Sequence, residues 1–130
     1  MKRVLIVDDD SDLLKLYKQA FLNASFLVDD VSTIPSAEKL IASKKYDLIL
    51  LDLLFPSTDT LSTIRFIRNK NTLNSETPIL VLTNLETGEK TKKALEYGAN
   101  ECLFKVTQTP GAITKTALRL IGNNHSYTNH

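Results

Sequence analysis

Apolar residues in this chain fall into five short runs, and between them lie longer stretches in which they return every third or fourth position. The runs are Val4–Val7, Phe26–Val31, Leu48–Leu51, Ile79–Leu82 and Cys102–Phe104. The second is interrupted by Asp29 and Asp30 and reads as an edge strand; continuous apolar runs bounded by polar residues suit strands buried on both faces of a parallel sheet. The stretches between them read as amphipathic helices. Leu13, Leu14, Tyr17, Ala20, Phe21 and Ala24 form the stripe of the first, capped by Asp10 or Ser11. Pro35 opens a second that turns Ala37, Leu40 and Ile41 inward. A third carries Leu61, Ile64 and Ile67 behind Asp59 or Thr60. A fourth runs from Glu86 to Tyr97 and is closed by Gly98. Thr109-Pro110 opens the last, with Ile113, Ala117, Leu120 and Ile121 on one face.

Strand and helix thus alternate five times, which predicts an α/β fold: one doubly wound sheet of five parallel strands with helices on both faces and right-handed crossovers. With 130 residues the chain is expected to be one domain over 1–122, followed by a polar tail or the start of a linker over 123–130.

Composition narrows the chemistry. Sixteen basic and fifteen acidic residues leave a formal charge of +1, which draws the chain toward neither nucleic acid nor an anionic membrane. Val4–Val7 is too short for a signal peptide or a span, so a cytoplasmic location is expected. A single cysteine, Cys102, excludes an internal disulfide and a thiolate cage. Both histidines, His125 and His130, lie in the predicted tail, so the folded body has no imidazole for acid–base or metal chemistry.

What remains is acidic, and it collects at one edge. Asp8 and Asp9 follow the first strand and Asp52 the third; Thr83 ends the fourth and Lys105 the fifth. In open α/β sheets that edge is the ligand crevice. Carboxylates about 5 Å apart repel by roughly 3 kcal/mol per pair at an effective dielectric near 20, more than one lysine offsets. A proton or a cation must relieve the cluster. Oxygen ligands without His or Cys favour Mg²⁺, Mn²⁺ or Ca²⁺, and a carboxylate beside such an ion can attack phosphorus.

Val7-Asp8-Asp9-Asp10, Leu51-Asp52-Leu53-Leu54-Phe55-Pro56-Ser57-Thr58-Asp59, Val81-Leu82-Thr83-Asn84, Tyr97-Gly98-Ala99 and Lys105 together resemble the receiver domains of two-component response regulators, from Lys2 to about Leu120. The resemblance implies the flavodoxin-like strand order 2-1-3-4-5, an order for which the chemotaxis response regulator is a standard example. It implies Asp52 as phosphoacceptor and Mg²⁺ held by Asp8, Asp9, Asp52 and the Leu54 backbone carbonyl. It implies Lys105 and Thr83 as phosphoryl-binding groups, Thr83 moving on activation. The phosphodonor would be a histidine kinase or a histidine phosphotransfer protein, and residues 86–121 would form the face that meets a downstream protein or output domain. The chain would be a phosphoacceptor rather than an enzyme, with no direct role on nucleic acid.

Several positions depart from that family's pattern. Lys105 is followed by Val106 in place of proline, which puts the lysine's reach in question because a non-proline cis bond is costly. The aromatic switch position three before Lys105 is Cys102, so an altered output switch is expected. Thr60 stands where a glycine is usual, and a positive φ there is not expected. Leu54 and Leu85 stand where polar groups often face the phosphoryl, and two leucines should hinder an attacking water.

Two other readings compete. A pseudo-receiver would use the same fold as an unphosphorylated protein-binding module. A phosphatase of the haloacid-dehalogenase type would use Asp8-x-Asp10, although Asp12 sits where threonine or valine is expected. A flavin-phosphate loop is disfavoured by three successive acids, and no P-loop is present.

Overall fold

The structure, a computed structural model, describes residues 1–53, 55, 59–84 and 88–128. Strands β1 (Arg3–Val7), β2 (Leu27–Val31), β3 (Leu48–Asp52), β4 (Ile79–Thr83) and β5 (Glu101–Phe104) alternate with helices α1 (Ser11–Asn23), α2 (Ile34–Ser43), α3 (Thr60–Arg68), α4 (Gly88–Tyr97) and α5 (Pro110–Thr128). All strand pairs are parallel, in the order β2-β1-β3-β4-β5. That is the expected sheet.

Strand alternation sorts the core into two layers. Leu5, Val7, Ile49, Leu51, Ile79 and Val81 point to one face, where Ile34, Ala37 and Ile41 of α2, Ile64 and Ile67 of α3 and Ala94 of α4 cover them. Val4, Ile6, Leu48, Leu50, Leu80 and Leu82 point to the other, under Leu14, Tyr17 and Phe21 of α1 and Ile113, Ala117 and Leu120 of α5. β3 and β4 are buried along their whole length, which is why their runs are unbroken. β2 lies at the edge and is half-buried. Its acids are tied down locally: Asp29 accepts from the Tyr46 hydroxyl at 2.7 Å and from Lys44 Nζ at 3.1 Å, and Asp30 pairs with Lys18.

The helix boundaries follow capping chemistry. Asp10 is the N-cap of α1, its carboxylate accepting from the Asp12 and Leu13 amides, and Thr33 and Asp59 cap α2 and α3 in the same way. Gly98, at φ 122°, closes α4 as expected. α1 closes differently, on Ser25 at φ 68°. The Phe26 amide donates to the Phe21 carbonyl and the Ser25 amide to Leu22, a Schellman closure clasped by the edge-to-face Phe21–Phe26 pair at 4.9 Å. Phe26 therefore belongs to the turn, and β2 starts one residue later than its apolar run.

The residues read as a polar tail continue α5 as far as Thr128. Each residue added to an existing helix gains a backbone hydrogen bond, and neither proline nor a cap interrupts Gly122–Thr128, so polarity alone does not end it.

Candidate functional site

β1 and β3 are adjacent and parallel, so their carboxyl ends bring Asp8 and Asp52 side by side. Both are nearly buried, at 2% and 4% exposure, while Asp9 is exposed. Carboxylate oxygens of Asp8, Asp9 and Asp52 lie within 4.8 Å of one another. The third acid of the run does not join them, because Asp10 is spent capping α1. Its own amide donates to Asp8 Oδ1 at 3.0 Å, which helps fix that carboxylate.

Lys105 enters from the end of β5. Its ammonium is 2.8 Å from Asp8 Oδ2 and 3.4 Å from Asp52 Oδ2, with the side chain almost out of solvent. Burial works against its charge, but the hydrogen bond to Asp8 and the negative charges of Asp52 and Asp8 prevail and hold its pKa above the usual lysine value. Replacement of the family's proline by Val106 has not cost the lysine its reach. Lys105–Thr107 form a single 3₁₀ turn, no cis peptide occurs among the described residues, and Val106 is turned out to solvent.

Three acids against one base leave an uncompensated pocket of negative charge. The donors are all carboxylate oxygens, the chemistry that suits a hard divalent cation.

A family model described as the response regulator receiver domain matches residues 4–117. The chain is a receiver domain of the response-regulator family.

Its relatives agree. The chain is 32% identical over 103 residues to the probable transcriptional regulatory protein SilR of Salmonella typhimurium, and 33% identical over 103 residues to the transcriptional regulatory protein CusR of Escherichia coli K12. Each match covers 79% of this chain and 44% of the relative, so the receiver spans less than half the length of these curated relatives. Among solved structures it resembles the chemotaxis response regulator CheY4 of Vibrio cholerae, with a TM-score of 0.83 and 25% identity over 92% of this chain and 98% of that one. The receiver domain of the sensor histidine kinase PA1611 of Pseudomonas aeruginosa, described with a magnesium ion coordinated in the active-site cleft, shares the fold at a TM-score of 0.81 and 24% identity, over 93% of this chain and 98% of that one.

The other predicted positions of the receiver divide into those brought to the crevice and those beside it. Thr83 is fully buried at the end of β4, opposite Phe104 in the sheet register. Cys102 lies two residues earlier, opposite Val81, on the same face of β5 as Phe104. Thr83, Thr91, Leu95, Cys102 and Phe104 line a cavity of about 350 Å³ against α4. The Cys102 thiol is half-buried, 3.8 Å from the Thr91 carbonyl, and burial pushes its pKa up to about 11. It is therefore a neutral, small side chain at neutral pH, and the cavity beside it is the room an aromatic ring would take. Leu54 and Leu85 lie outside the described residues.

Thr60 has no positive φ, in keeping with its sequence. It starts α3, and its hydroxyl donates to the Leu53 carbonyl, tying the helix start to the residue after Asp52. That tether was not legible in the sequence, since a threonine near a helix start reads as a cap. Tyr17 was read as one more member of the α1 stripe, yet the charges acting on it are those of Lys105, Asp8, Asp52 and Asp10. Arg68, which carries no sequence signal, spans from α3 to the α4–β5 turn. No helix among the described residues is long and apolar enough to cross a membrane.

Proposed function

We propose that this receiver takes a phosphoryl group onto Asp52 and carries it as a signal, with Mg²⁺ held by Asp8, Asp9 and Asp52. The observation that carries the reading is the buried Asp52 carboxylate, within 4.8 Å of the Asp8 and Asp9 oxygens and 3.4 Å from the Lys105 ammonium. The all-oxygen donor set fits Mg²⁺, the ion with which the Pseudomonas receiver is described. When bound, Mg²⁺ supplies positive charge against the three carboxylates and the phosphoryl oxygens.

This chain's own residues do the rest. An Asp52 carboxylate oxygen attacks phosphorus as the bond to the donor breaks. With a phosphohistidine donor the electron pair returns to the imidazole nitrogen; with acetyl phosphate, acetate leaves. Lys105 stands beside the forming group and offsets its charge. Thr83, at the end of the neighbouring strand, offers a hydroxyl to a phosphoryl oxygen. The donor is a histidine kinase or histidine phosphotransfer protein, consistent with a chain that has no histidine before residue 125. The output partner meets the 86–121 face. The Leu54 backbone carbonyl as a further ligand, and Leu54 and Leu85 as a brake on hydrolysis, rest on the sequence alone. On this reading the domain is a cytoplasmic phosphoprotein of a two-component phosphorelay, not an enzyme that turns over a separate substrate.

The test is incubation with Mg²⁺ and acetyl phosphate, followed by intact mass and mapping of the acyl phosphate. Gain of one phosphoryl group at Asp52, long-lived enough to map, is expected. No gain with Mg²⁺ present would favour the unphosphorylated binding module instead. The phosphatase reading loses its second aspartate, because Asp10 is an exposed helix cap.

The cavity beside Cys102 makes a second expectation measurable. A ring placed there by Cys102→Tyr fits a space of about 350 Å³ and adds a bulky group whose position depends on Thr83. Phosphorylation should therefore alter the near-ultraviolet circular dichroism and the amide spectrum of β5 and α4 more strongly in Cys102→Tyr than in the parent. Equal changes in the two proteins would show that this cavity takes no part in the switch.

A further inference from the structure

Tyr17 sits on α1 between Leu14 and Phe21 and is 4% exposed. Leu14 and Phe21 need nothing but apolar neighbours, whereas a phenol brings a hydroxyl that must find a partner when buried. That hydroxyl is not a fully buried orphan, as the Thr63 hydroxyl is: its side chain borders open space. Tyr17 also lines, with Asn84, Lys105, Val106 and Pro110, a cavity of about 300 Å³ between α1 and the turn after β5. Lys105 therefore has Asp8 and Asp52 within ion-pair distance and shares that cavity with Tyr17. Burial raises the phenol's pKa, and the nearby charge acting most strongly on it is that of Lys105, followed by Asp8 and Asp52. The phenol is thus a neutral hydroxyl at neutral pH, able to accept from an ammonium. An ammonium has three donors, and the two carboxylates account for two of the lysine's contacts.

We propose that Tyr17 is a positioning residue of the phosphoryl site: its ring walls in Lys105 on the α1 side, and its hydroxyl accepts from the ammonium, keeping that charge over Asp8 and Asp52 instead of letting it swing into the cavity. The ammonium keeps Asp8 and Asp52 as partners while its third donor turns toward the phenol. The consequence for phosphoryl uptake rests on the function proposed above; the contact between the two side chains does not.

The experiment follows the lysine ammonium groups of the full chain by ¹H–¹⁵N spectroscopy in Mg²⁺ buffer, Lys105 being assigned by its absence in Lys105→Arg. In the parent, a nuclear Overhauser contact between the Lys105 side chain and the Tyr17 ring is expected, and its absence overturns the proposal without any variant. Tyr17→Phe, which keeps the ring, should move the Lys105 signal. It should also slow uptake from acetyl phosphate about tenfold, the size of losing one hydrogen bond to a charged group. Tyr17→Leu should slow it no less. An unmoved signal or an unchanged rate in Tyr17→Phe refutes the positioning role. Should the parent itself take up no phosphoryl group, the functional reading fails, and the Lys105 signal alone decides the role of Tyr17.

Discussion

An Asp52→Asn variant is expected to gain no phosphoryl group from acetyl phosphate and Mg²⁺, and to melt at a higher temperature than the parent in metal-free buffer. The first half follows from chemistry, since a neutral amide is no nucleophile toward phosphorus at neutral pH. The second half follows from the charges. Asp52 lies within 4.8 Å of two other carboxylates and 3.4 Å from the Lys105 ammonium. At an effective dielectric near 20, each repulsion costs about 3 kcal/mol and the attraction returns about 5 kcal/mol, so against these three charges the carboxylate stands at a net loss of about 1 kcal/mol before the further cost of burying it. Asparagine removes that loss, and Lys105 keeps Asp8 as partner at 2.8 Å. A gain of about 1–3 kcal/mol on this basis shifts the melting temperature of a domain this size upward by several degrees. Mg²⁺ should stabilise the parent by mass action and the variant much less, because the variant has lost one of three charged ligands. Calorimetry of both proteins with and without Mg²⁺ reads all of this. An Asp52→Asn protein less stable than the parent in the absence of metal would show that the cluster is not under electrostatic strain.

The second large effect lies away from the crevice. Arg68→Met is expected to cost about 2–3 kcal/mol of folding stability, the order of the loss when the donor to several part-buried carbonyls is removed. The Arg68 guanidinium donates to the Gly98 carbonyl through Nε at 3.0 Å and Nη2 at 2.8 Å. Nη1 reaches the Thr77 carbonyl at 2.7 Å and that of Ser75 at 3.1 Å, and Nη2 also reaches Asn100 Oδ1 at 2.8 Å. Asn100 Oδ1 accepts in turn from the Ile79 amide at 2.9 Å, so one side chain aligns the starts of β4 and β5, whose far ends carry Thr83 and Lys105. Gly98 is part of the fit: a Cβ there would lie 2.8 Å from Arg68 Cγ, at a positive φ that already favours glycine. Methionine fills the space and leaves these carbonyls without donors. Arg68→Lys should recover only part of the loss, because an ammonium cannot reproduce the planar fork. Urea unfolding of the three proteins measures it, and a loss below about 1 kcal/mol would mean that water serves the same carbonyls as well as arginine does.

Both effects depend on groups far apart in the chain, and that marks the division between sequence and tertiary structure here. Local physics wrote the five strands and five helices into the sequence. A strand covered on both faces must be an unbroken apolar run, a helix covered on one face must repeat every three or four residues, and caps such as Asp10, Thr33 and Asp59 announce themselves by residue type. Alternation of the two elements then forces a parallel sheet, and a parallel sheet gathers its strand ends, so Asp8, Asp52, Thr83 and Lys105 were legible as one crevice.

What the sequence left open were matters of distance and direction. Whether Val106 spoiled the reach of Lys105 was settled by a 3₁₀ turn that sends the valine outward and the lysine inward. Which of three successive acids face the crevice was settled by Asp10 turning back to cap α1. The Arg68 clasp, the Thr60 tether and the place of Tyr17 beside Lys105 join residues 7 to 88 positions apart, through hydrogen bonds or side-chain approach that leave no periodic trace. Pattern reports burial and backbone state, because those act on neighbours along the chain; a partner across the fold becomes visible only when the chain has closed on itself.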